Sequence, residues 1–276
     1  MAFFNKVAII GTGLIGGSMA LAMKKKGIAR QVIGVSRHKS SLAQARRNRV
    51  IDKGSQDLSI IKGADLVVLA TPVNTILKLS PVITKFINKN TIVTDVGSTK
   101  KEIVSRLNRI FPNYIGSHPL AGSEKRGVKN AQGDIFKNSI CILTPAKNTS
   151  MKALRKIKIM WGRLGAKVLL LSPDIHDETL SFVSHLPHAV AFSLIGAIPD
   201  KHLKFGATGL KDTTRIALSD STLWADIFLS NRKNMLKAIK SFQDNLSRIS
   251  SALNKKDKEA LTKILKRAQE KREVLG

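Results

Sequence analysis

Apolar residues along the chain fall into two kinds of run, and the change comes near Ser172. Before it, short unbroken stretches recur between helix-like segments: VAII at 7–10, QVIGV at 31–35, ADLVVLA at 64–70, TIVTD at 91–95, YIGSH at 114–118, SICIL at 139–143 and KVLLL at 167–171. Runs that do not alternate with polar residues predict strands covered on both faces, hence a mostly parallel sheet with helices on either side. About seven strands are expected, in the βα order of a doubly wound α/β fold. After Ser172-Pro173 no such run follows. Residues 174–198 read as a long helix interrupted at Pro187, and 222–229, 234–253 and 256–272 are helical in period with polar faces. The chain is therefore expected to divide into an α/β domain, 1–172, and an all-α domain, 173–276.

The first strand runs into Gly11-Thr12-Gly13-Leu14-Ile15-Gly16 and then a helical pattern. This is the setting in which a glycine fingerprint carries meaning. Gly11 permits the tight turn, Gly13 lets the backbone approach a pyrophosphate, and Gly16 lets the helix pack close to the strand. Leu14 and Ile15 open the helix, whose unpaired N–H groups attract the phosphates. A Rossmann-type dinucleotide site follows, with Thr71, Pro72 and Ser98 at later strand ends lining its nicotinamide half. About 20 residues past the glycines, an acid would bind a ribose 2′-hydroxyl and an arginine would accommodate a 2′-phosphate. Here the residues are Ser36-Arg37-His38-Lys39, which favours NADP, with NAD as the alternative.

Composition narrows the class. Of 276 residues, 43% are hydrophobic, enough for a substantial core. No run of eighteen apolar residues appears, and the opening residues lead straight into the first strand, so neither a membrane span nor a signal peptide is expected and a cytoplasmic location follows. The single cysteine, Cys141, reads as a buried strand residue. The formal charge is +28, from 47 Lys and Arg against 19 Asp and Glu. Those basic residues are spread along the whole length, with no zinc-finger spacing, basic zipper or aromatic RNA-binding signature, so nucleic acid is not the expected partner and no metal is implied. A positive field does favour encounter with anionic small molecules.

Candidate chemistry centres on histidine. His118 ends a strand beside the expected nicotinamide, where an imidazole suits proton abstraction from a hydroxyl. By position alone it suits a structural hydrogen bond nearly as well. His185 and His188 lie in Ser184-His185-Leu186-Pro187-His188, where helix packing is the simpler role. Asp212 and Arg215, at i and i+3, suit an acid orienting a carboxylate-binding guanidinium, or a plain surface ion pair. Trp224 reads alone as core.

Taken together, GTGLIGGS, Asp95–Lys100 (DVGSTK), Ser117–Glu124 (SHPLAGSE), Ser184–His188 (SHLPH) and Leu210–Ala217 (LKDTTRIA) resemble, in the same order, the prephenate/arogenate dehydrogenase family of tyrosine biosynthesis. The resemblance spans nearly the whole chain. It implies oxidative decarboxylation of prephenate or arogenate, with His118 polarising the ring hydroxyl, Ser98 holding that hydroxyl and the histidine, and Arg215 and His188 binding substrate. It further implies that Glu124, Asp177 and Asp212 form ion pairs with the arginine that shape the site, that Trp224 lies near the substrate, and that the chain is a homodimer. No appended regulatory domain is expected. Among enzymes, a hydroxy-acid or imine dehydrogenase of similar layout is the alternative.

Overall fold

In the computed structural model, which describes residues 2–123 and 125–276, each apolar run is a strand. The strands are β1 (Phe4–Ile10), β2 (Ala29–Val35), β3 (Lys53–Ser55), β4 (Leu66–Leu69), β5 (Ile92–Asp95), β6 (Tyr114–Leu120), β7 (Ile140–Thr144) and β8 (Lys167–Leu170). They form one sheet in the order β3-β2-β1-β4-β5-β6-β7-β8. The eighth strand is β3, whose Lys-Gly-Ser carries no apolar signal and which pairs with β2 and packs against helix Lys39–Arg47. Neighbours run parallel except β6 and β7, which are antiparallel with His118 opposite Ile142.

Unbroken hydrophobicity is explained by burial on both faces, except in the edge strand β8, whose Leu169 and Leu170 are exposed. Along β1, Val7 and Ile9 enter a cluster with Met19, Val68, Ile115 and Trp161, while Ala8 and Ile10 enter a second with Val67, Leu69, Ile76 and Val93. Each buried Val, Ile, Leu or Met side chain contributes about 1.5–3 kcal/mol on leaving water. Cys141 belongs to the first cluster. Strand order reverses between β1 and β4, and the crevice beyond their carboxyl ends is where ligands bind in open parallel sheets. Gly11 and Thr71 stand at that crevice.

Pro187 does not break the long helix. Pro173–Leu180 continues through a π-helical stretch, Ser181–His185, into Leu186–Ala197. Proline has no N–H for the preceding turn, and the widened turn absorbs the missing bond. Pro173–Ala197 is long and apolar enough by length and composition to cross a membrane. Four of its polar residues, His176, Asp177, Ser181 and His185, are buried within the protein.

By spatial contacts the chain separates into Met1–Asn231 and Arg232–Gly276. The helices between Pro173 and Ser230 thus share a unit with the sheet, whereas the hydrophobic pattern changes at 172/173. In the second unit, helices Arg232–Asn254 and Lys258–Glu273 pack against each other, the latter capped by Asp257, which accepts from Ala260 N–H at 2.8 Å.

Candidate active site

The turn after β1 is shaped by glycines in two different ways. Gly11 has φ of +102°, and a Cβ there would collide with the Ala70 carbonyl; a Cβ on Gly16 would collide with the carbonyl of Gly11. These two close the turn onto the sheet. Gly13, the N-cap of helix Leu14–Lys25, is different: a Cβ there would meet no protein atom within 4 Å. Its open face and the helix N-terminus, which carries unpaired N–H groups, form a cradle for a pyrophosphate. The hydroxyls of Thr12 and Thr71 are buried without a partner among the described residues. Pro72 starts helix Val73–Ile83. The arrangement fits a dinucleotide cofactor.

At the end of β2, Ser36 Oγ accepts from His38 N–H at 3.3 Å, and Arg37 Nε donates to His38 Nε2 at 3.0 Å. Arg37 is exposed. Acids in the vicinity are engaged elsewhere. Asp52 accepts from Val32 N–H at 2.7 Å and pairs with Lys24, and Asp57 accepts from Ser59 N–H at 2.9 Å.

His118 is 8% exposed, on β6 near its carboxyl end. Its Nδ1 lies 2.8 Å from Nε2 of His176, whose Nδ1 donates to Asp177 Oδ1 at 2.8 Å. Asp177 also accepts from the backbone N–H groups of Lys100, at 2.7 Å, and Lys101, at 3.0 Å. The carboxylate therefore caps helix Lys101–Ile110 and anchors the imidazole pair to it. Burial holds His118 well below the ordinary histidine pKa, with His176, Lys100 and His185 acting in the same direction. Burial lowers His176 too, opposed by its bond to Asp177. Both rings are neutral near pH 7.

Beneath this chain lies a second buried network. Lys100 Nζ pairs with Asp95 and donates to Ser117 O at 2.8 Å, while Tyr114 donates to Asp95 Oδ1 at 2.7 Å. Gly97 N–H donates to Asp95 Oδ2 at 2.8 Å, which fixes the turn bearing Ser98. Burial and the neighbouring Asp95 push the Tyr114 hydroxyl well above its ordinary value, so it stays a donor. Ser98 itself is partly exposed and makes no hydrogen bond with His118.

The same chain extends to His188 and Trp224. Asn231 Nδ2 donates to the Asp177 carbonyl at 2.7 Å and lies 3.2 Å from His185 Nδ1. Burial brings His185 down to about 4. Its ring meets Trp224 edge-on at 6.0 Å, and Trp224 stacks on His188 at 3.5 Å. His188 Nδ1 donates to Ser184 O at 2.9 Å, and burial lowers its pKa. Thus His118, Asp177, His188 and Trp224 join one contact chain through His176, Asn231 and His185.

Asp212 lies exposed on helix Thr208–Thr214, and Arg215, also exposed, opens the 3₁₀ turn Arg215–Leu218 that packs on helix Leu186–Ala197. Arg126 pairs with Asp220 at 2.5 Å, tying the loop after β6 to the start of helix Ser221–Ser230. Glu124 lies outside the described residues. His176 and Asn231 carry no motif in the sequence, and Lys100 appears there only as the last residue of DVGSTK. The one available signal was a His-Asp pair in the first turns of a helix behind a Ser-Pro start.

Known proteins share both halves of this chain. The family profile for the nucleotide-binding domain of prephenate dehydrogenase matches residues 19–170, and that for its dimerization domain matches 172–267. Prephenate dehydrogenase of Bacillus subtilis (strain 168) is 34% identical over 282 residues, 98% of this chain and 76% of that protein. Cyclohexadienyl dehydrogenase of Zymomonas mobilis is 32% identical over 285 residues, 100% of this chain and 97% of that one. The crystal structure of prephenate dehydrogenase from A. aeolicus with hydroxyphenyl propionate and NAD+ superposes with a TM-score of 0.94 at 34% identity, covering 99% and 98% of the two chains. Synechocystis arogenate dehydrogenase gives 0.83 at 28% identity, covering 98% and 100%. On these matches, which run through the glycine cradle, the imidazole chain and the helices that follow, the chain belongs to the prephenate/arogenate dehydrogenase family of NAD(P)-dependent oxidoreductases.

Proposed function

We propose that this chain oxidatively decarboxylates prephenate or arogenate, yielding 4-hydroxyphenylpyruvate or tyrosine, with NADP preferred and NAD the alternative. The observation that carries the reading is His118: a buried, neutral imidazole at a strand's carboxyl end, with Nδ1 occupied by His176. A bound nicotinamide supplies the hydride acceptor. Gly11, Gly13, Leu14, Ile15 and Gly16 hold the pyrophosphate, Ser36 and Arg37 the adenosine ribose, and Thr71, Pro72 and Ser98 the nicotinamide half.

His118 accepts the ring hydroxyl proton through Nε2, and Ser98 positions that hydroxyl. Arg215 and His188 bind substrate carboxylates, with charge-assisted bonds from the guanidinium supplying most of the affinity. Asp212 orients Arg215, Glu124 completes the acidic set, and Trp224 bounds the ring. Asp177 acts through His176 rather than on substrate. Helices in 173–276 mediate a homodimer, supported by the dimerization profile and by exposed Phe182, Val183 and Leu194. A cytoplasmic location belongs to the same reading, as does a division into 1–172 for cofactor and 173–276 for substrate and dimer.

The test is a two-by-two assay of prephenate and arogenate with NADP and NAD, read as reduced nicotinamide absorbance. The reading expects turnover with at least one substrate and kcat/KM about tenfold higher with NADP, the worth of one charge-assisted contact. No turnover with either substrate would overturn the reaction, and equal or reversed cofactor preference would overturn the NADP assignment.

A further inference from the structure

We infer that His176 is a positioning residue that sets the tautomer of His118, delivering a bare Nε2 to the substrate. The inference rests on the reading of His118 as proton acceptor.

The geometry fixes each proton in turn. Both oxygens of Asp177 face donors: Lys100 N–H at 2.7 Å on Oδ1 and Lys101 N–H at 3.0 Å on Oδ2. A carboxylate in that position only accepts, so His176 Nδ1, 2.8 Å from Oδ1, carries a proton. A neutral imidazole protonated at Nδ1 has its lone pair on Nε2. That Nε2 faces His118 Nδ1 at 2.8 Å, so His118 must donate there. Its remaining nitrogen, Nε2, then bears the lone pair, which is the form a general base requires.

All three groups are buried, so water does not compete to scramble the assignment. When His118 takes the substrate proton, its charge forms one imidazole away from the Asp177 carboxylate. His176 stays neutral and transmits that stabilisation through its two hydrogen bonds, as the orienting acid does in a Ser-His-Asp triad. Here a second ring is interposed, which places the anion farther from the developing cation while keeping the same order of donors and acceptors. Asp177 is itself held by a helix N-terminus.

The experiment is 15N NMR of the wild-type enzyme with labelled histidine, combined with kinetics of His176→Phe and His176→Gln. The phenyl ring preserves volume and removes the acceptor; the glutamine carbonyl can replace Nε2. We expect the His118 proton on Nδ1 in the wild type. His176→Phe should lower kcat about 100-fold with little change in KM, and His176→Gln should recover much of it. A His118 proton on Nε2 in the wild type, or His176→Phe turning over at the wild-type rate, would overturn the inference. The wild-type spectrum decides the tautomer even if His176→Phe does not fold. Failure of the underlying reading looks different: His118→Asn would turn over normally whatever the spectrum shows.

Discussion

The cofactor cradle and the imidazole cluster are built on opposite plans. Gly11, Gly13 and Gly16 lie within six residues, and what they contribute is backbone: a left-handed turn, an open face and a close helix start. The cluster is made of side chains from distant segments, with His118 and His176 58 positions apart, Lys100 and Asp177 77 apart, and His185 and Asn231 46 apart. A local motif can be carried by one strand-turn-helix. A dispersed one needs the sheet, the long helix and the helix ending at Ser230 all in place. The two should therefore fail separately.

The glycines offer the largest separation. Gly13→Ala should lower the melting temperature far less than Gly11→Ala, because a Cβ at Gly13 meets no protein atom within 4 Å, yet weaken cofactor binding about 100-fold by occupying the pyrophosphate approach. Titration calorimetry and a thermal melt check both halves of that statement. A side chain on Gly11 should act on the fold instead, since both its φ of +102° and the Ala70 backbone oppose it.

On the substrate side, Arg215→Gln should raise KM about 10- to 100-fold with a smaller change in kcat, the worth of a lost charge-assisted contact. Cofactor affinity should not move. Steady-state kinetics with cofactor saturating would show it, and an unchanged KM would remove Arg215 from the substrate site. Ser36→Asp with Arg37→Ile should then shift preference toward NAD about tenfold, touching only the cradle.

A separate effect, outside both the cradle and the chemistry, is on stability against pH. His118, His176 and His185 are held below their unfolded values by burial, so the unfolded chain binds more protons as pH falls. Their contribution is complete above about pH 6.5 and declines below it; for His185 the decline runs to about 4 and amounts to roughly 3 kcal/mol. Melts from pH 8 to pH 5 should fall more steeply for wild type than for His185→Gln. Equal slopes would contradict a neutral buried imidazole there.

How much of this could be read from residues follows the same division. The strands announced themselves through unalternating runs, because a sheet covered on both faces favours apolar residues at successive positions; β3 did not, since Lys53-Gly54-Ser55 is placed by pairing with β2 and by the helix Lys39–Arg47 beside it. The glycine turn was legible because its cause is local. His118, His188 and Trp224 were reachable through motifs, but the residues between them were not. His176 looks in sequence like any histidine near a helix start, and its role exists only because the long helix lays it against β6. Asn231 bridges Asp177 and His185 from the end of another helix, a relation no spacing encodes. Pro187 looks in sequence like an interruption, but the π turn at Ser181–His185 absorbs the proline without ending the helix.

The central claim is that His118 takes the proton while the cradle holds the cofactor independently. Measuring kcat and cofactor affinity on His118→Asn tests it in one preparation. The account predicts a loss of about 100- to 10,000-fold in kcat, the range for removing a general base, with cofactor affinity and melting temperature near wild type. Wild-type turnover by a correctly folded His118→Asn enzyme would contradict it.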